Sequence, residues 1–339
     1  MICAIENLVS ASVHLTAMIE HRQIRVNGIQ MHIAEQGTGP LVILCHGFPE
    51  TWYSWRHQIG PLADRGWHII APDQRGYGQT ERPREVASYD ILNLVADIVA
   101  IVKLSGYTTA AVVGNDWGSL VAAHCALLRP DIFRQVALLS VPYLPRIAGT
   151  HSPTEVLQRM YRGKEFYQLF FQQPGRAEAQ LEQDVRQSLL MLFYSLSGEA
   201  LPEKRWRPVV QKAETILDWG GLPEKMPNWL SENDLETLTQ EFRRTGFAGG
   251  LNWYRNIDRN WKMTAFLVEA TINQPSLFLA GERDPILEVY RNYEKLLEKS
   301  MPNLKGRILL EGVGHWTTLE DTESVTQHIA EFLSANCTG

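Results

Sequence analysis

Gly114-Asn115-Asp116-Trp117-Gly118 stands between Ala110-Ala111-Val112-Val113 and the run Ser119 to Leu128, and these residues decide the fold. The four residues before it are apolar and partly β-branched, which predicts a buried strand; those after it predict a packed helix. Strand, tight turn and helix make an elbow that lifts one side chain clear of the backbone, normally a serine nucleophile. Here that position carries Asp116. So sharp a turn needs small residues two positions before and two after, which Gly114 and Gly118 supply. Two glycines at a strand-helix junction are also common packing devices in α/β proteins.

Two further segments separate these readings. Pro275-Ser276-Leu277-Phe278-Leu279-Ala280 reads as a buried strand and leads into Gly281-Glu282-Arg283-Asp284-Pro285; Arg307-Ile308-Leu309-Leu310 reads as a last strand and leads into Glu311-Gly312-Val313-Gly314-His315-Trp316. Open α/β sheets collect ligands at the carboxyl ends of their strands, where Asp116, Asp284 and His315 all fall. Nucleophile, acid, histidine is also the chain order expected around such an elbow. Each has a plainer reading: Asp284 can cap the turn before Pro285, and His315 can be a surface histidine. Of the ten histidines, however, His57, His68, His124 and His328 lie within regular elements, and His315 alone follows a strand on glycines.

On these residues the chain resembles the soluble type of epoxide hydrolase in the α/β-hydrolase superfamily. The likeness runs through nearly the whole sequence: His46-Gly47-Phe48-Pro49 after the strand Leu41 to Cys45, the turn Gly76-Tyr77-Gly78-Gln79-Thr80, the elbow at Asp116, then Asp284 and His315. Two further stretches match the family's lid, Phe166-Tyr167-Gln168-Leu169-Phe170-Phe171 and Leu251-Asn252-Trp253-Tyr254-Arg255-Asn256. The resemblance implies an α/β-hydrolase fold with an inserted helical cap. It also implies a small apolar epoxide and water as reactants, with Tyr167 and Tyr254 donating to the epoxide oxygen. The histidines and carboxylates show no tight ligand spacing and no phosphate-cradling glycine loop is evident, so no metal site and no cofactor are expected. Tyr161 is the alternative if one of the pair only packs.

The pattern up to Tyr143 fits such a core. Strands are expected at Gln23 to Val26, Gln30 to Glu35, Leu41 to Leu44, His68 to Ala71 and Ala110 to Val113, giving a mainly parallel sheet flanked by helices. Ile91, Leu94, Val95, Ile98, Val99 and Ile101 recur at helical spacing within Tyr89 to Leu104 and supply a covering layer. From Leu144 to Met263 the residues turn aromatic, glutamine-rich and charged, with helical patterns and no strand alternation. The expected division is therefore core 1–143, helical cap 144–263 and core 264–339, with the site between cap and core.

Composition sets outer bounds. A chain of 339 residues with 45% hydrophobic and 21% charged residues can bury a large core. A net charge of -6 offers no footprint for nucleic acid and no polybasic patch for anionic membranes. Cys3, Cys45, Cys125 and Cys337 lack metal-ligand spacing and do not suggest a disulfide framework. The first twenty residues carry Glu6 and no basic region ahead of an apolar block, and Ala335 to Gly339 match no retention or peroxisomal address. A cytoplasmic location is the expectation, and oligomeric state stays open.

The residue types state a mechanism. A carboxylate that attacks saturated carbon forms an alkyl ester, which divides one hard hydrolysis into two easier steps. An aspartate is already ionised at neutral pH, so His315, oriented by Asp284, is free to activate water against that ester. Backbone N–H groups of Phe48 and Trp117 are the expected oxyanion hole, and His46 is expected to be structural. Phe48, Trp117, Phe247 and Trp316 are candidate pocket walls. A haloalkane dehalogenase would use the same three residues, with Trp117 as a halide donor but no side-chain donor at Phe48. A ligand receptor with an inactive site is the non-enzymatic alternative, against which the completeness of the set argues.

Overall fold

The apolar runs pair into one sheet in a computed structural model that describes residues 18–146, 148–211, 215–290 and 292–336. Strands β1 (Glu20–Val26) and β2 (Ile29–Gln36) are followed by β3 (Leu41–Cys45), α1 (Arg56–Ala63), β4 (His68–Pro72), α2 (Ile91–Leu104), β5 (Ala110–Asn115), α3 (Trp117–Leu128) and β6 (Phe133–Leu139). A long insertion then carries α4 (Pro153–Met160), β7 (Glu165–Phe166), α5 (Tyr167–Phe170), α6 (Arg176–Leu181), α7 (Val185–Ser195), β8 (Val209–Val210), α8 (Glu232–Thr245), α9 (Ala248–Arg255) and α10 (Ile257–Met263). The sheet resumes with β9 (Ser276–Gly281), α11 (Tyr293–Ser300), β10 (Leu304–Leu310), α12 (Thr317–Glu320) and α13 (Thr322–Ala335).

The strand order is β1-β2-β4-β3-β5-β6-β9-β10, antiparallel at β1/β2 and β2/β4 and parallel across the other pairs. Successive side chains of a strand point to opposite faces, and both faces of the central strands are dry, whereas the edge strands β1 and β10 are partly exposed. Leu41, Ile43 and Cys45 enter one apolar cluster while Val42 and Leu44 enter the other. Val112 and Ala111 divide the same way, as do Phe278 and Leu277. Two-sided burial is why these strands read as unbroken apolar runs.

The structure departs from the expectations in three places. β6 is a central strand that the pattern reading does not contain; Val136 to Leu139 are all buried, and a short apolar run without alternation has no period to betray it. Helix α2 begins at Ile91 because the Asp90 side chain accepts from Asn93 N, while Val86–Tyr89 form a separate 3-10 turn. The insertion, expected to be purely helical, also contains the antiparallel pair β7/β8. Cys45 and Cys125 are buried and free; Cys3, Cys337 and most of the first twenty residues lie outside the described residues. Among the described residues no helix is long and apolar enough to cross a membrane.

Candidate active site

Asp116 directly follows β5, and Asp284 and His315 sit in the turns after β9 and β10, at the same edge of the parallel sheet. Asp116 has φ 52° and ψ -119°, a conformation that non-glycine residues avoid and surrounding contacts must hold. Its amide donates to Leu139 O at 3.2 Å, and its carbonyl accepts from Ser119 N at 3.0 Å. A Cβ on Gly114 would lie 2.0 Å from Gly118 O, and one on Gly118 would lie 2.0 Å from Cys45 O. The two glycines are therefore required by close backbone approach as the chain reverses.

The three side chains form a relay. Asp116 Oδ1 accepts from Phe48 N at 2.8 Å, and Oδ2 lies 3.5 Å from His315 Nε2. His315 Nδ1 is 2.9 Å from Asp284 Oδ2, whose other oxygen accepts from Ile286 N at 2.8 Å. Asp284 and His315 are each only 1% exposed. Burial opposes charge on His315, but the Asp284 carboxylate and the hydrogen bonds to Asp116 and Asp284 outweigh it. They hold the imidazolium well above the ordinary value of 6.5.

Two cavities meet at Asp116 and share Tyr167, Tyr254 and Ile286 in their walls. The larger, about 190 Å³, adds Trp117, Leu120, Val141, Gln168, Ile257 and Tyr290; the smaller, about 30 Å³, adds Phe48, Pro49, Phe171, Trp206 and His315 among its walls. Burial, followed by the nearby Asp116 charge, pushes the Tyr254 phenol well above 10.0. For Tyr167 burial again leads, then Tyr290, with Asp116 and Asp284 adding. Both phenols therefore keep their protons. Tyr167 Oη also accepts from Gln168 Nε2 at 3.0 Å, which leaves its own O–H free to donate elsewhere.

The profile of the α/β hydrolase fold matches residues 40–322. Epoxide hydrolase A of Mycobacterium tuberculosis is 41% identical over 92% of this chain and 97% of its own length. An epoxide hydrolase of Caballeronia sordidicola is 35% identical over 94% of this chain and 95% of its own. Among solved structures, an epoxide hydrolase from an endophytic Streptomyces superposes with a TM-score of 0.90 at 43% identity, covering 94% of this chain and 96% of that one. The chain belongs to the epoxide hydrolases of the α/β-hydrolase fold.

Not every candidate of this epoxide hydrolase reaches the cavities. Phe247 and Trp316, expected as walls, line neither. Phe247 stacks on Phe242 behind Phe48, and Trp316 donates its indole N–H to Phe193 O at 2.8 Å with its ring against His315. Tyr161 stacks on Phe166 and also lines neither cavity. Of the two expected oxyanion-hole amides, Phe48 N meets the carboxylate; Trp117 N opens helix α3, where no intrahelical acceptor exists. His46 is fully buried and pushed down to about 4, first by burial, and its neutral Nε2 accepts from Gln74 N at 3.0 Å. The Phe48–Pro49 peptide bond is cis.

Three residues at the site escaped the sequence reading. Glu50 Oε2 accepts from Gly47 N at 2.9 Å and Asn115 Nδ2 at 3.1 Å, tying the Phe48 turn to the elbow. The motif His46–Pro49 ends one residue short of it. Tyr290 lines the larger cavity from a loop with no periodic signal, and Glu320 is half-buried beside the His315 turn. Among the described residues no cluster of three or more His, Cys, Asp or Glu is arranged to hold a metal ion.

Proposed function

We propose that this epoxide hydrolase opens its substrate by attack of Asp116 on a ring carbon, forming an alkyl ester that water then cleaves. The observation that carries the reading is the Asp116 carboxylate itself, which Phe48 N holds and His315 Nε2 faces, in a space that two protonated phenols also line. As the carbon–oxygen bond of the ring breaks, Tyr167 and Tyr254 donate to the oxygen, one proton passes to it and an alcohol results. The His315 proton, no longer held by the Asp116 charge, passes to the phenolate. The neutral imidazole then deprotonates a water that adds to the ester carbonyl, with Asp284 stabilising the imidazolium so formed. The Phe48 and Trp117 amides receive the oxyanion. Collapse releases the diol and the Asp116 carboxylate and leaves His315 protonated, as it began. The residues 144–263 act as the cap that carries both phenols over the core.

Alkylation of Asp116 changes the charge of the site at the moment each partner changes role. Before it, the carboxylate raises both tyrosines and supports the His315 proton. The ester is neutral, so the phenols release a proton more readily and His315 loses one of the two carboxylates that keep it charged. A single covalent event thus prepares the imidazole to act as a base.

Heavy-oxygen water tests this. With enzyme in excess over an aryl epoxide, first-turnover diol is expected to carry ordinary oxygen taken from Asp116, with heavy oxygen appearing in the peptide containing Asp116. His315→Gln is expected to accumulate the ester as a mass increase on that peptide. Heavy oxygen in the diol of the first turnover would show direct attack by water and end the covalent reading.

A further inference from the structure

Glu320 has no part in the chemistry above, yet its half-buried carboxylate lies next to it. Oε2 accepts from Gly198 N at 2.8 Å and Gly314 N at 2.9 Å, and Oε1 accepts from Trp316 N at 3.0 Å. Two of these donors flank His315 in sequence; the third belongs to the stretch between α7 and β8. That stretch also holds the histidine directly, since His315 N donates to Leu196 O at 2.9 Å. Arg283, beside Asp284, donates from Nη1 to Gly198 O at 3.2 Å. The backbones cross so closely that a Cβ on Gly198 would lie 1.9 Å from Gly312 O, and one on Gly314 would lie 2.3 Å from Gly198 N.

Capping of the short helix α12 accounts for the Trp316 bond alone. It does not account for Gly198, which lies 122 positions away in the chain. Burial lifts the Glu320 carboxyl to about 7, while the three N–H donors oppose the shift. A half-buried carboxylate costs free energy unless its acceptor positions are filled, and here three backbone N–H groups fill them. Two of the three bonds hold the backbone on either side of His315, and the third ties that backbone to Gly198.

We propose that Glu320 is the positioning residue of His315: its carboxylate clamps the backbone on both sides of the histidine to the Leu196–Gly198 stretch and so keeps Nε2 turned to Asp116. The inference rests on the ester mechanism, in which His315 serves the second step and not the first. Ring opening needs Asp116 and the phenols and is indifferent to small shifts of the imidazole. Ester hydrolysis needs Nε2 within reach of one water.

The test is rapid-quench mass spectrometry of ester formation and decay on an aryl epoxide, with Glu320→Gln and Glu320→Asp beside wild type and His315→Gln. Glutamine keeps the shape but turns an N–H group toward a donor, while aspartate keeps the charge and withdraws it by one methylene. Expected is ester formation within about twofold of wild type and ester decay slowed about tenfold to a hundredfold, the scale of a small misplacement of a catalytic group. Either variant, once shown to be folded by circular dichroism, suffices. Equal slowing of both steps, or a lowered melting temperature with unchanged decay, would make Glu320 a structural residue only and overturn the proposal. Absence of ester even in His315→Gln would overturn the ester mechanism and this inference with it, a result distinct from failure of the Glu320 variants alone.

Discussion

At the scale of single residues, the site is a problem of charge. Asp116, His315 and Asp284 place one imidazole between two carboxylates, at 3.5 and 2.9 Å, with little water to screen them. The raised folded-state value of His315 means that the folded chain binds this proton more tightly than the unfolded chain does. The resulting stabilisation is complete below the ordinary value of 6.5 and is lost as pH rises through the folded value. Asp116→Ala removes one supporting carboxylate, so its His315 is expected to titrate at lower pH, which imidazole proton resonances can follow. In denaturant titrations, the stability advantage of wild type over this variant should then shrink as pH rises from the variant's folded His315 value towards that of wild type. An advantage that is flat or grows with pH would show that Asp116 does not support the histidine's charge. The identities of these three residues were legible from strand ends and glycine turns, but their distances were not. No one-dimensional pattern shows that the Phe48 amide meets Asp116 across 68 positions of chain.

At the scale of elements, the elbow joins β5 to α3 with no room to spare. Gly118 is packed against the end of β3, where a Cβ would meet Cys45 O at 2.0 Å and His46 O at 2.6 Å. Those carbonyls belong to backbone, so relief requires moving a strand end rather than turning a side chain. Gly118→Ala is expected to lose about 1–3 kcal/mol, the range of overpacked cores, and to lower activity by shifting Asp116 from Phe48 N. Urea unfolding and turnover on the same preparation check this, and a variant with wild-type values for both would mean that the turn relaxes freely. The elbow was readable because its glycines are forced by sterics. β6 was not, because Val136 to Leu139 are buried and show no alternation, and a short apolar run fits strand and helix equally. The β7/β8 pair was hidden for the opposite reason: two residues per strand are too few to establish any period.

At the scale of the molecule, the change of composition after Tyr143 announced an insertion but not how it is held. One continuous apolar cluster runs from the sheet, through Ile43 and Val112, past Phe48 and Trp117, to Phe166, Trp253 and Tyr254 in the insertion. Trp253 is central to it. Its ring lies 5.4 Å from Tyr77 and 5.8 Å from Trp117, and its indole N–H donates to Arg75 O at 3.1 Å. Close by, Asn256 Nδ2 donates to Val86 O at 2.6 Å, and Asn260 Oδ1 accepts from Ile91 N at 2.8 Å. A shared core of this kind couples the two parts, so calorimetry of wild type is expected to give one cooperative transition. Trp253→Ala opens a cavity between core and insertion and leaves Arg75 O without its donor, which should cost about 3–5 kcal/mol. Because Trp117 and Tyr254 pack beside the lost ring, the same variant should also bind epoxide less well. A wild-type endotherm that resolves into two steps, with Trp253→Ala lowering only one of them, would mean that the insertion is stable by itself and that the phenols are carried by a separately folding unit.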